Sequence, residues 1–160
     1  MGCDIHAVLE KKHEGAWVGV HAFPYLGEGV EISAIGKEIG YKHASWFFRN
    51  RSYTFFGEIA GVRAPSSTSL EPRGVPDDAS ELARMELAGW DGDAHTHTWA
   101  TPKECAQAWI RSRQDGFFET DKTVRLLDNG SLEDSVCVHL FGLYPDENPE
   151  EHRLVIWFDN

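Results

Sequence analysis

The sequence predicts a single α+β domain over residues 1–160, with a mostly antiparallel sheet and helices packed on it. Three observations lead there. The chain opens with an alternating apolar and polar run that reaches a tight turn and a second patterned run, which together read as a hairpin. It closes on Leu154-Val155-Ile156-Trp157-Phe158, apolar on both faces, as a strand inside a sheet requires. Between these ends, helices and strands succeed one another without regular β-α alternation, which argues against a doubly wound parallel sheet.

In chain order, Cys3 to Lys12 is a half-buried strand: Ile5, Ala7 and Leu9 face one way, and Asp4, His6, Val8 and Glu10 the other. Glu14-Gly15 turns the chain, and Ala16 to Phe23 is the hairpin partner. Pro24 to Gly40 is glycine-rich, a loop with a short helix or strand near Ile32 to Ile39. Its glycines match neither the dinucleotide fingerprint nor the phosphate loop. Ser52 caps a helix that runs to Ala60 and stops at Gly61, with Tyr53, Phe56 and Ile59-Ala60 on one face. Residues 64–78, with Pro65, Pro72, Gly74 and Pro76, form a connector long enough to suggest a mobile lid. Asp77 or Asp78 caps the next helix, Ser80 to Ala88, which ends at Gly89. Thr101, Pro102 and Glu104 make a capping box with proline at the first helical position. The helix they open carries Cys105, Ala108, Trp109 and Ser112 on its inner face. Thr123 to Leu127 reads as a short strand ahead of an Asp128-Asn129-Gly130 turn. Val136 to Tyr144 and Arg153 to Phe158 read as strong strands, with a turn at Asp146 to Glu151 between them.

Composition narrows the function. Six Trp and nine Phe in 160 residues argue for a filled interior. A net charge of −11 argues against duplex nucleic acid and against anionic membranes as partners. The charge is uneven: Lys42 to Arg73 holds five basic residues against two acidic ones, net +3, which leaves −14 for the rest of the −11 total. Such an island suits a small anionic ligand, although the same arginines would also serve as partners for surface carboxylates. Cys3, Cys105 and Cys137 are dispersed and odd in number, as in a reducing compartment. No apolar run reaches membrane-spanning length and the start does not read as a signal peptide, so a cytoplasmic location is expected. Met1-Gly2-Cys3 is not a myristoylation signal, because His6 stands where that motif needs Ser or Thr.

The chemistry centres on Asp93-Ala94-His95-Thr96-His97-Thr98-Trp99. In an uninterrupted strand Asp93, His95, His97 and Trp99 share one face. The Asp-x-His pattern at Asp93 and His95 repeats that of Asp4 and His6, which makes these two stretches candidates for one cleft. His95, His97, His6 and Asp4 are therefore the candidate catalytic residues. His95, His97 and Asp93 would be the ligands if a divalent metal is bound. Without metal, one imidazole would act as base and the other as acid. Arg49, Arg51, Arg63 and Arg73 would hold phosphate oxygens, and Tyr53 and Trp99 would contact the ligand by stacking. The competing reading is that both histidines satisfy backbone or carboxylate groups at a strand end.

Several stretches resemble a family of short proteins common in bacteriophage and prophage genomes. They are the opening Met1-Gly2-Cys3-Asp4-Ile5-His6, Arg51-Ser52-Tyr53 with Phe56 and Ala60-Gly61-Val62-Arg63 after it, and Arg73-Gly74-Val75-Pro76-Asp77. His95-Thr96-His97-Thr98-Trp99 and the closing Trp157-Phe158-Asp159-Asn160 complete the set. The resemblance implies a phage setting and a protein of the host cytoplasm. It implies less about activity; small phage proteins of this size often blunt host defences, including those that signal with cyclic nucleotides.

Three functions are expected on these grounds. The first is a hydrolase, a phosphodiesterase that cleaves a linear or cyclic nucleotide signal of host defence. The second is a non-catalytic sponge that holds such a nucleotide, with the same arginines on phosphate and an indole on the base. The third is an acidic inhibitor docked on a host protein. A homo-oligomer is compatible with each of them.

Overall fold

The computed structural model describes residues 4–23, 31–41, 53–62, 66–114, 130–141, 143 and 147–159. Among the described residues, five strands form one antiparallel sheet: β1 (Asp4–His13), β2 (Ala16–Phe23), β3 (Glu31–Ile32), β4 (His95–Ala100) and β5 (His152–Asp159), in the order β3-β2-β1-β5-β4. The α-helices among the described residues are α1 (Ala34–Glu38), α2 (Tyr53–Ala60), α3 (Glu81–Ala88), α4 (Pro102–Gln114) and α5 (Leu132–Phe141). This is the α+β architecture with an antiparallel sheet that the patterning predicts.

The hairpin forms because Glu14 and Gly15 both adopt positive φ, 52° and 80°. That two-residue turn matches the twist of the strands it joins. It fixes the register His13↔Ala16, Lys12↔Trp17 and Lys11↔Val18. β5 is buried along its whole length, between β1 on one side and β4 on the other.

Each sheet face has its own cover. Ile5, Ala7 and Leu9 of β1, with Leu154, Ile156 and Phe158 of β5, share the main core with α2, α4 and α5. The opposite face carries Asp4, His6, Val8, Glu10 and Lys12 of β1, and Arg153, Val155, Trp157 and Asp159 of β5. There Val8 and Trp157 pack against Ala79 and Ala83, so α3 covers the second face.

Local signals explain the helices. Gly61, at φ 65°, ends α2 and donates its N–H to the Gly57 carbonyl (2.9 Å). Thr101 and Glu104 exchange the two bonds of a capping box, Thr101 N to Glu104 Oε2 (2.9 Å) and Glu104 N to Thr101 Oγ1 (3.2 Å). The four residues predicted for the inner face of α4, Cys105, Ala108, Trp109 and Ser112, are all buried. α3 is capped by Ser80, whose hydroxyl accepts from Ala83 N, rather than by Asp77 or Asp78.

One element differs in kind from its prediction. Residues 132–141 are helix α5, where Val136 to Tyr144 reads as a strand. The physical reason is a second capping box. Ser131 N donates to Asp134 Oδ2 (3.1 Å) and Asp134 N to Ser131 Oγ (3.1 Å), which starts a helix ahead of the β-branched run. Val136, Cys137, Leu140 and Phe141 then fall on one buried helical stripe. The predicted strand at 123–127 and the turn residues Asp128 and Asn129 lie outside the described residues, as does Ser52.

Candidate functional site

The histidine strand is not a regular strand. His95 pairs with Phe158 and Thr98 with Ile156, so three steps along β4 oppose two along β5. The extra residue is accommodated at Thr96, which adopts φ 51°, a conformation that β-branched residues avoid. One inserted residue switches the later strand residues to the opposite face. His95 shares the main-core face with its partner Phe158 and stacks on that ring (6.1 Å between centroids, 26°). Beyond the bulge, Trp99 pairs with Val155 on the second face. His97 and Trp99 both turn their carbonyls to the outer edge, His97 O accepting from Gly74 N (2.9 Å) and Trp99 O from Arg73 Nη1 (3.2 Å). Strand phase therefore puts His97 with Trp99. The expectation that Asp93, His95, His97 and Trp99 share a face is corrected by this bulge. Asp93 leaves the strand altogether, exposed in a 3-10 turn, Asp91–Asp93.

The other half of the predicted constellation is elsewhere. His6 is fully buried, 4.1 Å from the Trp90 ring, 5.8 Å from Trp157, and with Nε2 3.3 Å from an Asp159 carboxylate oxygen. Asp4 lies at the strand end, its backbone N–H donating to Asp159 Oδ1 (3.1 Å). His6 and Asp4 occupy the second face, opposite His95. His97 is on their face, but Trp157 of β5 stands between it and His6, two strand spacings or roughly 10 Å apart. The four residues proposed as catalytic thus do not form one array. Among the described residues, no three His, Cys, Asp or Glu groups lie close enough to hold a metal ion, so His95, His97 and Asp93 are not a ligand set.

The predicted ligand-binding residues divide similarly. Arg49, Arg51 and Arg63 lie outside the described residues. Tyr53 packs against the main core, on the far side of the sheet from Trp99. Arg73 and Trp99 do meet, with the guanidinium carbon 4.6 Å from the indole centroid.

They meet in a cleft of about 680 Å³ on the second face, where the ends of β1, β2 and β5 approach residues 73–78. Its aromatic groups are Trp17, Trp99 and His152, its cations Lys12, Arg73 and Arg153, and its carboxylates Asp77, Asp78 and Glu150. Arg153 lies 4.1 Å from the Trp17 ring and 6.0 Å from Trp99, and Lys12 Nζ lies 5.3 Å from Trp17.

Most of this charge is already paired. Arg153, 5% exposed, forms an ion pair with the fully buried Glu10 and reaches Asp78 Oδ1 (2.8 Å) and Asp78 O (3.0 Å). The second Glu10 oxygen accepts from Ser80 N (2.6 Å), at the start of α3. Arg73 makes a two-pronged ion pair with Glu104, one arm at 2.8 Å. Among the described residues, Lys12, Asp77 and Glu150 are left in the cleft with no salt bridge or side-chain hydrogen bond, beside the two indoles.

The same bonds hold the connector. Its described part, from residue 66, is tied to Glu58 by Ser66 Oγ (2.5 Å) and Thr68 Oγ1 (2.9 Å), to Thr98 Oγ1 by Arg73 N (3.2 Å), and to Arg153 by Asp78. This described part walls the cleft.

The pKa shifts give stability a pH dependence of definite sign. Burial, and then the neighbouring His95, holds His97 below the ordinary histidine value; burial does the same for His152. As the pH falls through about 6.5 the unfolded chain takes up these protons first, so stability is lost between there and the folded values. Burial alone would raise Glu58 and Glu104, but hydrogen bonds from Ser66, Arg111 and Thr68, and from Arg73, outweigh it. Asp78 is held low by Arg153. The carboxylate contribution is full above the unfolded values of about 4 and is lost as the pH falls through the folded ones. The urea midpoint is therefore expected to fall in two stages on acidification from pH 7. A loss confined to the acidic stage would contradict the histidine part.

Sequence reasoning overlooked Lys12, Trp17, Asp77, Glu150 and the Glu10–Arg153 pair. A signal existed for the first two: a two-residue turn at Glu14-Gly15 dictates that Lys12 opposes Trp17. No family model matches the chain, and neither the curated proteins nor the solved structures gave a match. No helix among the described residues is long and apolar enough to cross a membrane.

Proposed function

We propose that the protein is a non-catalytic binder that holds a nucleotide with a single phosphate charge in the Trp17–Trp99 cleft. The observation that supports this reading is a cleft that brings together two indoles, each touched by a guanidinium, and Lys12, the one cleft cation among the described residues that has no salt bridge. Indole faces suit a base, whose stacking is worth about 1–3 kcal/mol. One ammonium suits a monophosphate or a cyclic phosphodiester better than a triphosphate, which the surrounding acidic protein would repel. The hydrolase reading would require His95, His97, His6 and Asp4 to act on one phosphorus. Their distribution over two faces, with His6 enclosed by Trp90 and Trp157, favours sequestration instead. As a setting we propose the infected host cell, where a phage protein that captures a nucleotide signal would silence the defence it triggers.

The test is a panel of linear and cyclic nucleotides, read by thermal shift and calorimetry, with chromatography of the ligand afterwards. A monophosphate or cyclic mononucleotide is expected to raise Tm and to be recovered intact. Trp99→Ala is expected to weaken that binding about 5- to 150-fold, the equivalent of one stacked base. Appearance of product would restore the hydrolase; no shift with any nucleotide would overturn the binding reading.

A further inference from the structure

We infer that His152 and Glu147 form a proton-operated latch: protonation of the buried imidazole draws the Glu147 carboxylate from Lys11 and shifts the turn that carries Glu150 into the cleft wall. The inference does not depend on what the cleft binds.

His152 is 1% exposed, and its Nδ1 lies 3.1 Å from the Asn148 carbonyl oxygen. A carbonyl oxygen only accepts, so Nδ1 carries the proton and Nε2 of the neutral ring is a bare lone pair. That nitrogen has no hydrogen-bond partner among the described residues. It lies 4.0 Å from Glu147 Oε1, one acceptor opposite another. The same oxygen accepts from Lys11 Nζ at 3.1 Å. One proton on Nε2 turns the two opposed acceptors into a charge-assisted hydrogen bond, at a separation roughly 1 Å shorter.

The carboxylate makes that movement, because the ring is held by β5 and by Asn148, whereas Glu147 precedes the strand and both it and Lys11 are partly exposed. Asn148 passes the movement on. Its carbonyl accepts from His152 Nδ1 and from Glu151 N (3.0 Å), and its side chain from Glu150 N (3.0 Å). Glu150 and Arg153, on either side of this hub, both line the cleft.

Among the described residues, the charges acting on the ring are Lys11 of β1 and Glu147 and Glu151 of the turn. Burial outweighs the Asn148 bond and the two acids, so the latch engages below the ordinary histidine value of about 6.5. Tyr41, on which Glu147 also acts, stays protonated throughout, since burial and that carboxylate push its phenol up.

The experiment is a nuclear magnetic resonance titration of the intact chain from about pH 7.5 to about 4.5, spanning the ordinary histidine value. It follows the His152 imidazole, the Lys11 side chain and the amides of residues 148–151. All are expected to move together, with one midpoint below about 6.5. Glu147→Gln takes the anion from the ring and is expected to lower the midpoint by about one pH unit. Lys11→Met removes the competing cation and is expected to raise it. The amide transition is expected to follow the ring in both variants; their side chains are partly exposed, so both should fold. An imidazole that stays neutral until the protein unfolds, a midpoint that is the same in all three chains, or amides that stay still while the ring titrates would each overturn the latch.

Discussion

Replacing Arg153 with alanine is expected to destabilise the protein by about 3–5 kcal/mol, the cost of leaving one member of a buried ion pair behind. Glu10 is fully buried and its counter-charge is Arg153; the remaining bond to Glu10, from Ser80 N, is a single neutral donor. The same guanidinium holds Asp78 and lies on Trp17, so the connector and one cleft wall lose their anchor together. The pair itself need not be stabilising, since two charges taken from water give back much of their attraction as desolvation cost. Glu10→Met with Arg153→Met is therefore expected to recover much of the loss. Equilibrium urea unfolding of the single and double variants measures both effects. An Arg153→Ala cost below about 1 kcal/mol, the range of an exposed pair, would show that the clasp is not buried in solution.

Trp157→Ala is expected to cost about 3–5 kcal/mol as well, by a different route. The ring is 2% exposed and is the largest fully buried side chain on the α3 side of the sheet, packed with Val8, Ala79 and Ala83 and stacked on His6. Its removal leaves a cavity under a short helix that contributes Ala83 and Leu82 in return. The damage should be directional: amide exchange is expected to accelerate through residues 79–88 more than in α4, which packs on the opposite face. Trp157→Phe keeps most of the ring and deletes an indole N–H that has no hydrogen-bond partner among the described residues, so it should cost far less. Uniform acceleration across both faces would mean that the two cores are not separable.

Much of the architecture could be read in advance because its causes are local. Glu14-Gly15 sets the hairpin, Thr101 to Glu104 starts α4, and the doubly apolar run at 154–158 demands neighbours on both sides. Helix α5 shows two local signals in conflict. The Ser131–Asp134 capping box is visible in the sequence, but the β-branched and aromatic residues after it suggest a strand, and tertiary packing of one helical stripe decides the outcome. The site was less legible. Alternation is a period-two rule, and one bulged residue at Thr96 reverses everything beyond it; a threonine at φ 51° carries none of the glycine or asparagine signature that usually marks such a place. The arginine clasps join positions 31, 75 and 143 residues apart, which no local pattern reports.

The central claim is that ligand enters between Trp17 and Trp99 and leaves unchanged, while His6, His95 and His97 take no part. Nuclear magnetic resonance reads all of this in one titration with 3′,5′-cyclic GMP, by tracking the indole N–H and imidazole signals together with the ligand phosphorus. The Trp17 and Trp99 signals are expected to move to saturation, those of His6 and His95 to stay in place, and the phosphodiester resonance to persist. Movement centred on His95 and His97, with the phosphorus signal converting to that of a monoester, would contradict the claim.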